Sequence, residues 1–240
     1  MRLLDCTLPT LPENLALDEV LLEMHDAGDA PELLRLWQWP TYAVVLGANG
    51  RIGIDVEEMV CEIDAVPLAR RSSGGGTVLL GPGCMLFSLV LSFDRHPDLR
   101  DVNRSYRWIL GKLGEALGPH VEASGISDLS IGMMKFSGNA QHRKSGCLLH
   151  HGTLLYDFDL SKIARYLKRP EREPEYRQGR PHSEFVRNLG CDVGELKSRL
   201  CATWEAGEVW DDWSRERVAE LVAEEYGTME WRAKHPWPAA

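Results

Sequence analysis

The pattern of apolar and polar positions predicts helices near both ends of the chain and strands in the middle. Apolar residues recur at helical spacing after Asn14, which is a suitable N-cap, and this first helix is predicted to end near Gly28. Apolar or alternating runs predict strands at residues 33–39, 42–46, 66–69, 77–80, 85–93, 129–131, 135–141 and 148–158. Helical spacing returns at residues 55–63, 106–117, 160–167, 193–204 and 215–226.

Two segments lack such periodicity and are predicted to be loops. Residues 47–53 join a strand to a helix, and residues 169–182 are rich in Pro, Arg and Glu and are predicted to be exposed. Strands that dominate the middle of a chain, with helices on either side, predict a mixed sheet in an α+β fold. No internal repeat or low-complexity linker divides the chain, so we predict a single domain over residues 1–240.

Composition narrows the classes of protein that this chain can belong to. The 240 residues are 44% hydrophobic, and the formal net charge of -9 argues against a nucleic-acid partner, which needs a basic surface. The six cysteines form no CxxC pair, which argues against a zinc site and favours reduced thiols in the cytoplasm. The N-terminal segment becomes polar too early for a signal peptide, and no run reaches the roughly 18 apolar residues of a membrane span. We therefore expect a cytoplasmic protein without a membrane partner.

A glycine-rich turn between two predicted strands carries the first chemical signal. It reads RRSSGGGTV from Arg70 to Val78. Three consecutive glycines let the backbone adopt positive φ and approach a ligand closely, and the exposed N–H groups of such a turn bind anions. The arginine pair beside it suits a carboxylate or phosphate, although a tight hairpin with solvated arginines is the simpler alternative.

Two further stretches add polar side chains to otherwise apolar strands. Lys135 begins KFSGNAQ, in which Gly138 and Ala140 leave room beside a compact cation that suits a carboxylate or an acyl phosphate. His150 and His151 begin HHGTLL, and because neighbours in a strand point to opposite faces, only one of them can face a pocket. An ordinary edge lysine and one buried histidine remain the simpler alternatives.

Taken together and in this order, the three stretches resemble the motifs of the lipoate–protein ligase and octanoyltransferase family. The segments NLALDE, WQWPTYAVVLG and ASGISDL are also similar to that family, so the resemblance covers roughly residues 13–200, most of the chain. It lies nearer the lipoate–protein ligase A branch. The resemblance implies a catalytic-domain fold shared with biotin–protein ligases, a mixed, largely antiparallel sheet flanked by helices.

The resemblance also implies an activity and a set of site residues. Such a ligase activates lipoate with ATP and Mg²⁺ as an acyl-adenylate, and passes the acyl group to a lysine of a lipoyl carrier domain, in a 2-oxoacid dehydrogenase E2 or the glycine cleavage H protein. Lys135 matches the essential lysine of the family, and Asp128 matches a residue near the magnesium–nucleotide. The expected acyl-adenylate contacts are Arg71, Ser73, Gly75, Gly76, Thr77, Val78, Gly138, Ala140, His151, Gly152 and Thr153.

The sequence leaves two other functions open. An octanoyltransferase takes octanoate from acyl carrier protein without ATP and uses a cysteine nucleophile, but the family's positions for it, within residues 125–129 or 169–175, hold none here. Cys147 and Cys84 remain as alternative nucleophiles, and buried structural thiols are the simpler interpretation of both. A non-catalytic binder of lipoyl domains would keep the same fold.

Two departures from the ligase pattern bear on the activity. Ligases usually carry His-Asp after the glycine turn and then an Asn, where this chain has Leu80-Gly81 and Cys84. Many also have a small C-terminal domain that supports adenylation, for which residues up to 240 leave little room, so a separate accessory chain is one possibility. A biotin ligase is disfavoured because its GRGRRGR-type loop is absent.

Overall fold

The architecture is a mixed sheet with helices on both faces, as the sequence predicts. The structure is a computed structural model that describes residues 1–234, so the last part of the predicted domain, residues 235–240, lies outside it. The strands are β1 Arg2–Asp5, β2 Leu33–Gln38, β3 Ala43–Leu46, β4 Leu68–Arg70, β5 Val78–Leu80, β6 Cys84–Ser92, β7 Val121–Ser124, β8 Asp128–Ile131, β9 Met134–Arg143, β10 Cys147–Leu155 and β11 Glu208–Val209. The helices are α1 Leu11–Ala27, α2 Ile52–Asp55, α3 Glu58–Ile63, α4 Val102–Leu117, α5 Ser161–Tyr166, α6 His182–Phe185, α7 Val193–Thr203, α8 Arg215–Leu221 and α9 Met229–Ala233.

Two sheets organise these elements. The large sheet has the order β11-β1-β2-β6-β10-β9-β8-β7, in which β1 runs parallel to both neighbours and the remaining pairs are antiparallel. The small sheet has the order β4-β3-β5, with β3 parallel to β4 and antiparallel to β5. The glycine-rich turn lies between β4 and β5, so the small sheet carries it.

Separate apolar layers cover the two faces of the large sheet. On one face α1 and α8 pack over β2, β6 and β10, through residues such as Leu17, Leu21 and Val218. On the other face α4 and α7 pack through residues such as Ile109 and Leu196. Burial on both faces explains why β6 reads as a nearly continuous apolar run. Within residues 1–234 no helix has both the length and the apolar character that crossing a membrane requires.

The N-cap of helix α1 lies four residues before the predicted one. Thr10 caps it, because its hydroxyl accepts from the Glu13 N–H while the Glu13 carboxylate accepts from the Thr10 N–H, a capping box. The Asn14 prediction was therefore wrong. The Asn14 side chain is buried and instead donates to the carbonyls of Leu8 and Thr10, while its oxygen accepts from Arg35.

Other boundaries differ where short elements meet. The predicted helix at 55–63 is two short helices, α2 and α3, and α2 begins inside the segment predicted as a loop. The predicted strand at 148–158 ends with β10 at Leu155, and β1, β7 and β11 were not predicted. The predicted helix at 215–226 loosens after Leu221 into a wider π turn, Val222–Tyr226.

The segment 169–182 is only partly the exposed loop that its composition predicts. Arg177 is 3% exposed, stacks on the ring of Phe185 at 4.8 Å and donates from Nε to the Arg180 carbonyl. Arg180 in turn donates to the carbonyls of Met133 and Tyr176. Arg180 therefore fastens this segment to the turn between β8 and β9, and Arg177 packs against Phe185 instead of standing free in solvent.

Candidate functional site

A cavity lies between α1, the glycine-rich turn and the large sheet. Its lining is Leu15, Asp18, Trp37, Val45, Arg71, Gly75, Gly76, Thr77, Val78, Leu80, Leu86, Phe87, Ser88, Ser127, Asp128, Lys135, Gly138, Asn139, Ala140, His151, Gly152 and Thr153. All of the site residues expected from the sequence line it except Ser73 and the two alternative nucleophiles, Cys84 and Cys147. Three stretches that are distant in the chain thus meet in one place.

The cavity combines an apolar wall with a cationic one. Leu15, Trp37, Val45, Leu80 and Leu86 contribute aliphatic and aromatic surface. Its volume is about 130 Å³, and since a single water needs about 10–15 Å³ by this measure, a medium-length alkyl chain has room. The cations are Arg71 and Lys135, so the cavity suits a molecule with an alkyl chain and an anionic end.

The glycine-rich turn is folded around the Arg71 guanidinium. Arg71 donates from Nη2 to the carbonyls of Gly74 and Gly76, at 2.7 and 2.8 Å, and from Nε to Ser73 Oγ at 3.0 Å. Burial lowers the pKa of Arg71 to about 10, so the guanidinium still carries its charge at neutral pH. Of the three glycines only Gly75 has a positive φ, at +85°, so the expectation of φ > 0 holds at that one position.

Arg70, the other member of the arginine pair, points away from the cavity. Its guanidinium donates to the carbonyls of Gly47, Ala48 and Gly50, and to those of Trp231 and Arg232 in α9. The expectation that both arginines hold a ligand anion is therefore wrong for Arg70. It fixes the loop after β3, which supports the glycine turn.

Lys135 is held in an ion pair at the opposite side of the cavity. Its Nζ lies 2.7 Å from Asp128 Oδ1, and the Tyr176 hydroxyl donates to Asp128 Oδ2 at 2.7 Å. A Cβ added at Gly138 would lie 2.9 Å from Lys135 Nζ, which confirms that the glycine leaves room for the ammonium. The Lys135 side chain is 31% exposed, so a ligand can reach it.

Asp128 has no unpaired carboxylate oxygen with which to bind a metal ion. Both of its carboxylate oxygens are already paired, one with Lys135 and one with Tyr176. Among residues 1–234 no group of three or more His, Cys, Asp or Glu side chains could hold a metal. The described residues therefore fit an anion better than a resident cation.

His151 connects the glycine turn to α1. Its Nε2 lies 2.6 Å from Ser73 Oγ, and its Nδ1 lies 3.4 Å from Asp18 Oδ2. Asp18 also accepts from Ser88 at 2.8 Å and from Arg35 at 2.6 Å. Burial alone would raise the pKa of Asp18, but the charge of Arg35 and the donors around the carboxylate outweigh it and hold that pKa below its ordinary value.

His150 faces the other side of the sheet, so the two histidines separate as expected. It is fully buried against Phe87 and Tyr106, and its Nδ1 lies 3.1 Å from Gln141 Nε2. Burial, and to a lesser degree His151, lowers the pKa of His150 to about 3. His150 is thus a neutral core side chain, and His151 is the histidine that faces the cavity.

No cysteine lines the cavity, although all six lie in the part of the chain that the structure describes. Cys147 packs against α1, with Sγ 3.8 Å from the Leu22 carbonyl and 3.6 Å from Asp26 Oδ1. Burial raises the pKa of both the Cys147 and Cys84 thiols to about 12. Both are therefore protonated at neutral pH, and neither thiol faces the space that a substrate would enter.

Several lining or supporting residues were not expected from the sequence. Asp18 and Asn139 stand within the quoted segments NLALDE and KFSGNAQ, but one sequence gives no sign that their side chains turn inward. Tyr176 lies in the segment predicted to be an exposed loop, and only the tertiary fold brings it to Asp128. A polar residue inside an apolar helix face, as Asp18 is, was the one signal available.

Comparisons with known proteins identify relatives of this chain. The family model described as "Lipoyl protein ligase A/B catalytic domain" matches residues 10–199. A "Probable lipoate-protein ligase A" of Mycoplasma pneumoniae is 34% identical over 154 residues, 64% of this chain and 45% of that protein. An "Octanoyltransferase LipM" of Clostridioides difficile is 25% identical over 187 residues, 69% of this chain and 68% of that protein.

Solved structures share the fold. A bi-partite lipoate protein ligase of Thermoplasma acidophilum superposes with a TM-score of 0.81 at 22% identity, covering 99% of this chain and 98% of that one. A lipoate-protein ligase A bound with ATP gives a TM-score of 0.76 at 24% identity, covering 97% and 98%. The chain spans 45% of the length of the mycoplasma ligase relatives, so their whole activity does not transfer with the match. The extent of the family match nevertheless shows that this chain belongs to the lipoyl protein ligase A/B catalytic domain family.

Proposed function

We propose that this protein is an enzyme that attaches lipoate, or octanoate, to a lysine of a lipoyl carrier domain through an acyl-adenylate formed from ATP. The observation that carries the proposal is the cavity itself, apolar along Leu15, Trp37 and Leu86, and cationic at Arg71 and Lys135. A medium-chain carboxylic acid has this division between an alkyl chain and an anionic end.

The cations suit the charge that develops during acyl transfer. Lys135 is placed by Asp128, and a positioned ammonium stabilises negative charge on a phosphate or on the oxyanion of an acyl carbonyl. Arg71 remains charged and adds a second positive group beside the glycine turn. ATP would place its phosphates near these two cations, and when bound it would supply the activating group for the carboxylate. For Mg²⁺, the pairing of Asp128 with Lys135 and Tyr176 leaves no free carboxylate pair, so the ion would rely on the phosphates.

The cysteines favour this ligase over an octanoyltransferase. A transferase that forms an acyl-thioester on the enzyme needs a thiolate facing the acyl group. Cys147 and Cys84 are buried, and burial raises their thiol pKa to about 12. The similarity to an octanoyltransferase of Clostridioides difficile keeps the transfer reaction as the second function to test.

The acceptor is proposed to be a lipoyl domain. The ligase of Thermoplasma acidophilum with the same fold was solved as part of a lipoylation system with its E2 lipoyl domain. That ligase is bi-partite, so a separate accessory chain is a further partner to test here. A lipoyl domain presents its own lysine as the nucleophile, which is consistent with a cavity that contains no thiol.

The deciding experiment is the intact mass of an unmodified lipoyl domain after incubation with this protein. One reaction contains lipoate, ATP and Mg²⁺; the other contains octanoyl-acyl carrier protein without ATP. A mass increase only in the first reaction supports the ligase. An increase only in the second replaces it with the transferase, and none in either points to a missing accessory chain or a non-catalytic binder.

A further inference from the structure

A chain of polar contacts runs from the glycine turn to the buried face of α1. Arg71 Nε donates to Ser73 Oγ at 3.0 Å, and Ser73 Oγ lies 2.6 Å from His151 Nε2. His151 Nδ1 then faces Asp18 Oδ2 at 3.4 Å. The Asp18 side chain, 7% exposed, lines the cavity, and its partner Arg35 is fully buried behind it.

The surroundings fix which His151 nitrogen carries the proton. A carboxylate accepts hydrogen bonds, so the nitrogen that faces Asp18 is the protonated one, Nδ1. Nε2 then holds a lone pair and accepts from the Ser73 hydroxyl. Ser73 is free to donate because its own acceptor position is filled by Arg71. Every donor in the chain thus points toward Asp18.

Acyl transfer to a lysine requires a group that removes a proton. At neutral pH the acceptor amine arrives as an ammonium, which has no lone pair with which to attack a carbonyl. The titratable side chains that line the cavity are Asp18, Arg71, Asp128, Lys135 and His151. The two carboxylates are each paired with a cation, and Arg71 and Lys135 are themselves cations. His151 is the remaining group with an available lone pair.

We propose that His151 accepts the proton of the acceptor amine, and that Asp18 is the positioning residue that keeps Nε2 as its acceptor atom. This rests on the proposed function only for the identity of the acceptor, a lysine amine. The ammonium gives one proton to Nε2 of His151, which lines the cavity, taking the place of the Ser73 hydroxyl there, and the resulting imidazolium is stabilised by Asp18. The neutral amine then forms the C–N bond as the acyl carbon loses its leaving atom, the oxygen of an adenylate or the sulfur of a thioester. The second amine proton goes with the leaving group.

Asp18 differs in this role from a carboxylate that only holds α1 in place. Loss of an anchor slows every reaction of the enzyme alike, whereas loss of a positioned base slows only reactions that need deprotonation. The charged groups around His151 are Asp18 on α1, Arg35 behind it on β2 and Arg71 in the turn. Replacing Asp18 by Asn keeps the shape but offers an N–H to Nδ1, which favours the wrong tautomer.

The test compares two nucleophiles in a single turnover of acyl transfer by wild type and Asp18→Asn. One is the lysine of a lipoyl domain, and the other is hydroxylamine, an amine that is largely uncharged at pH 7. Because general-base catalysis contributes about 10²–10⁴-fold, transfer to lysine should fall by at least about 10²-fold. Transfer to hydroxylamine should stay within about twofold, and raising the pH should restore part of the lysine rate as the free amine becomes more abundant.

Equal loss with both nucleophiles would overturn the inference, since it would mark Asp18 as an anchor only. Asp18→Asn leaves Arg35 without its partner, so Asp18→Asn combined with Arg35→Gln is the second variant, and it should show the same selective loss if the single variant does not fold.

If the wild-type protein acylates the lysine only from a thioester donor, the adenylate step of the proposed function is excluded, but the role of His151 is not. The base is needed with either donor, so the same comparison would then be made with octanoyl-acyl carrier protein.

Discussion

The ammonium of Lys135 lies 2.7 Å from Oδ1 of Asp128, and the Tyr176 hydroxyl donates to the other oxygen of the same carboxylate. Asp128 begins β8, Lys135 lies near the start of β9, and Tyr176 comes from the segment after α5. Three parts of the chain therefore hold one ammonium in place. A positioned cation is more useful to a developing negative charge than a freely moving one, because little reorganisation is needed when the charge appears.

Lys135→Ala is expected to slow acyl transfer by about 10²–10³-fold, the usual effect of removing one electrostatic contact to a transition state. The side chain is 31% exposed and packs into no core cluster, so thermal unfolding should change little. The measurement is the rate of mass increase of the lipoyl domain, and Lys197→Ala, which removes a lysine paired with Asp5, is the matched control. Normal transfer by Lys135→Ala would exclude the proposed role.

Gly47→Ala is expected to disturb the glycine turn and the Arg71 guanidinium that the turn surrounds. The added Cβ would lie 2.2 Å from the Gly75 carbonyl oxygen and 3.2 Å from Arg71 Nη2, so the turn must move. Such overpacking typically lowers the free energy of unfolding by about 1–3 kcal/mol, and the KM for the acyl acid should rise because the turn forms one wall of the cavity. Gly53→Ala, where nothing lies within 4 Å of the added Cβ, is the control in both measurements.

Cys147→Ala and Cys84→Ala are each expected to retain transfer within about twofold, since no thiol lines the cavity and a protonated buried thiol is a poor nucleophile. The check is the transfer rate together with the intact mass of the enzyme after incubation with an octanoyl donor. An octanoyl adduct that survives in Cys84→Ala but disappears in Cys147→Ala, along with the activity, would instead identify Cys147 as the nucleophile.

His150 is expected to make the fold sensitive to acid. Burial holds its folded-state pKa at about 3, against an ordinary value of 6.5, so the unfolded chain binds the proton first as the pH falls. This contribution to stability is complete above pH 6.5 and declines toward pH 3. From pH 7 to pH 5 the decline should be about 2 kcal/mol.

The measurement is the free energy of unfolding by urea at the two pH values. His150→Gln should lose about 2 kcal/mol less than wild type over this interval, whatever its stability at pH 7. His120→Gln, at an exposed position, should show the same pH dependence as wild type. An identical slope for His150→Gln and wild type would mean that His150 is not the buried neutral group described here.

Charge reversal in the segment 169–182 tests whether it contacts an acidic carrier domain. Arg177 is unsuitable for this test because it is 3% exposed, and Arg177→Glu should unfold the segment. Arg172 is exposed, and Arg172→Glu should raise the KM for the lipoyl domain most strongly at low salt, where surface charges are least screened. Arg215→Glu, an exposed arginine at the start of α8, is the control. Equal KM values for the two variants at low salt would mean that this segment does not contact an acidic carrier surface.

Sequence reasoning identified many of the residues that line the cavity, because local patterns set them apart. The glycine turn, Lys135 and His151 each stand out from their neighbours, and the cavity brings them together as expected. The separation of His150 from His151 followed from strand geometry alone. The start of α1 was missed because Asn14 suits an N-cap chemically, whereas its actual role, hydrogen bonding to Arg35, depends on a strand about 20 residues away.

The rest required the tertiary fold. Nothing local distinguishes Arg70 from Arg71, yet they extend in different directions, one toward α9 and one into the glycine turn. Likewise, composition made the segment around Tyr176 look solvated, and only its packing against Asp128 and Phe185 shows otherwise. Short edge strands such as β7 carry too few residues for their alternation to be recognised.

The contacts of Arg70 bear on where the cooperative folding unit ends. The family match stops at residue 199, but Arg70 takes two of its carbonyl partners from Trp231 and Arg232, and the Trp231 indole donates back to the Arg70 carbonyl. A chain trimmed to the matched boundaries would leave a buried guanidinium short of acceptors directly behind the glycine turn. Homology and hydrogen bonding thus set different limits on this molecule: the segment beyond residue 199 lies outside the family match, yet its contacts with Arg70 lead us to expect that it unfolds together with the glycine turn.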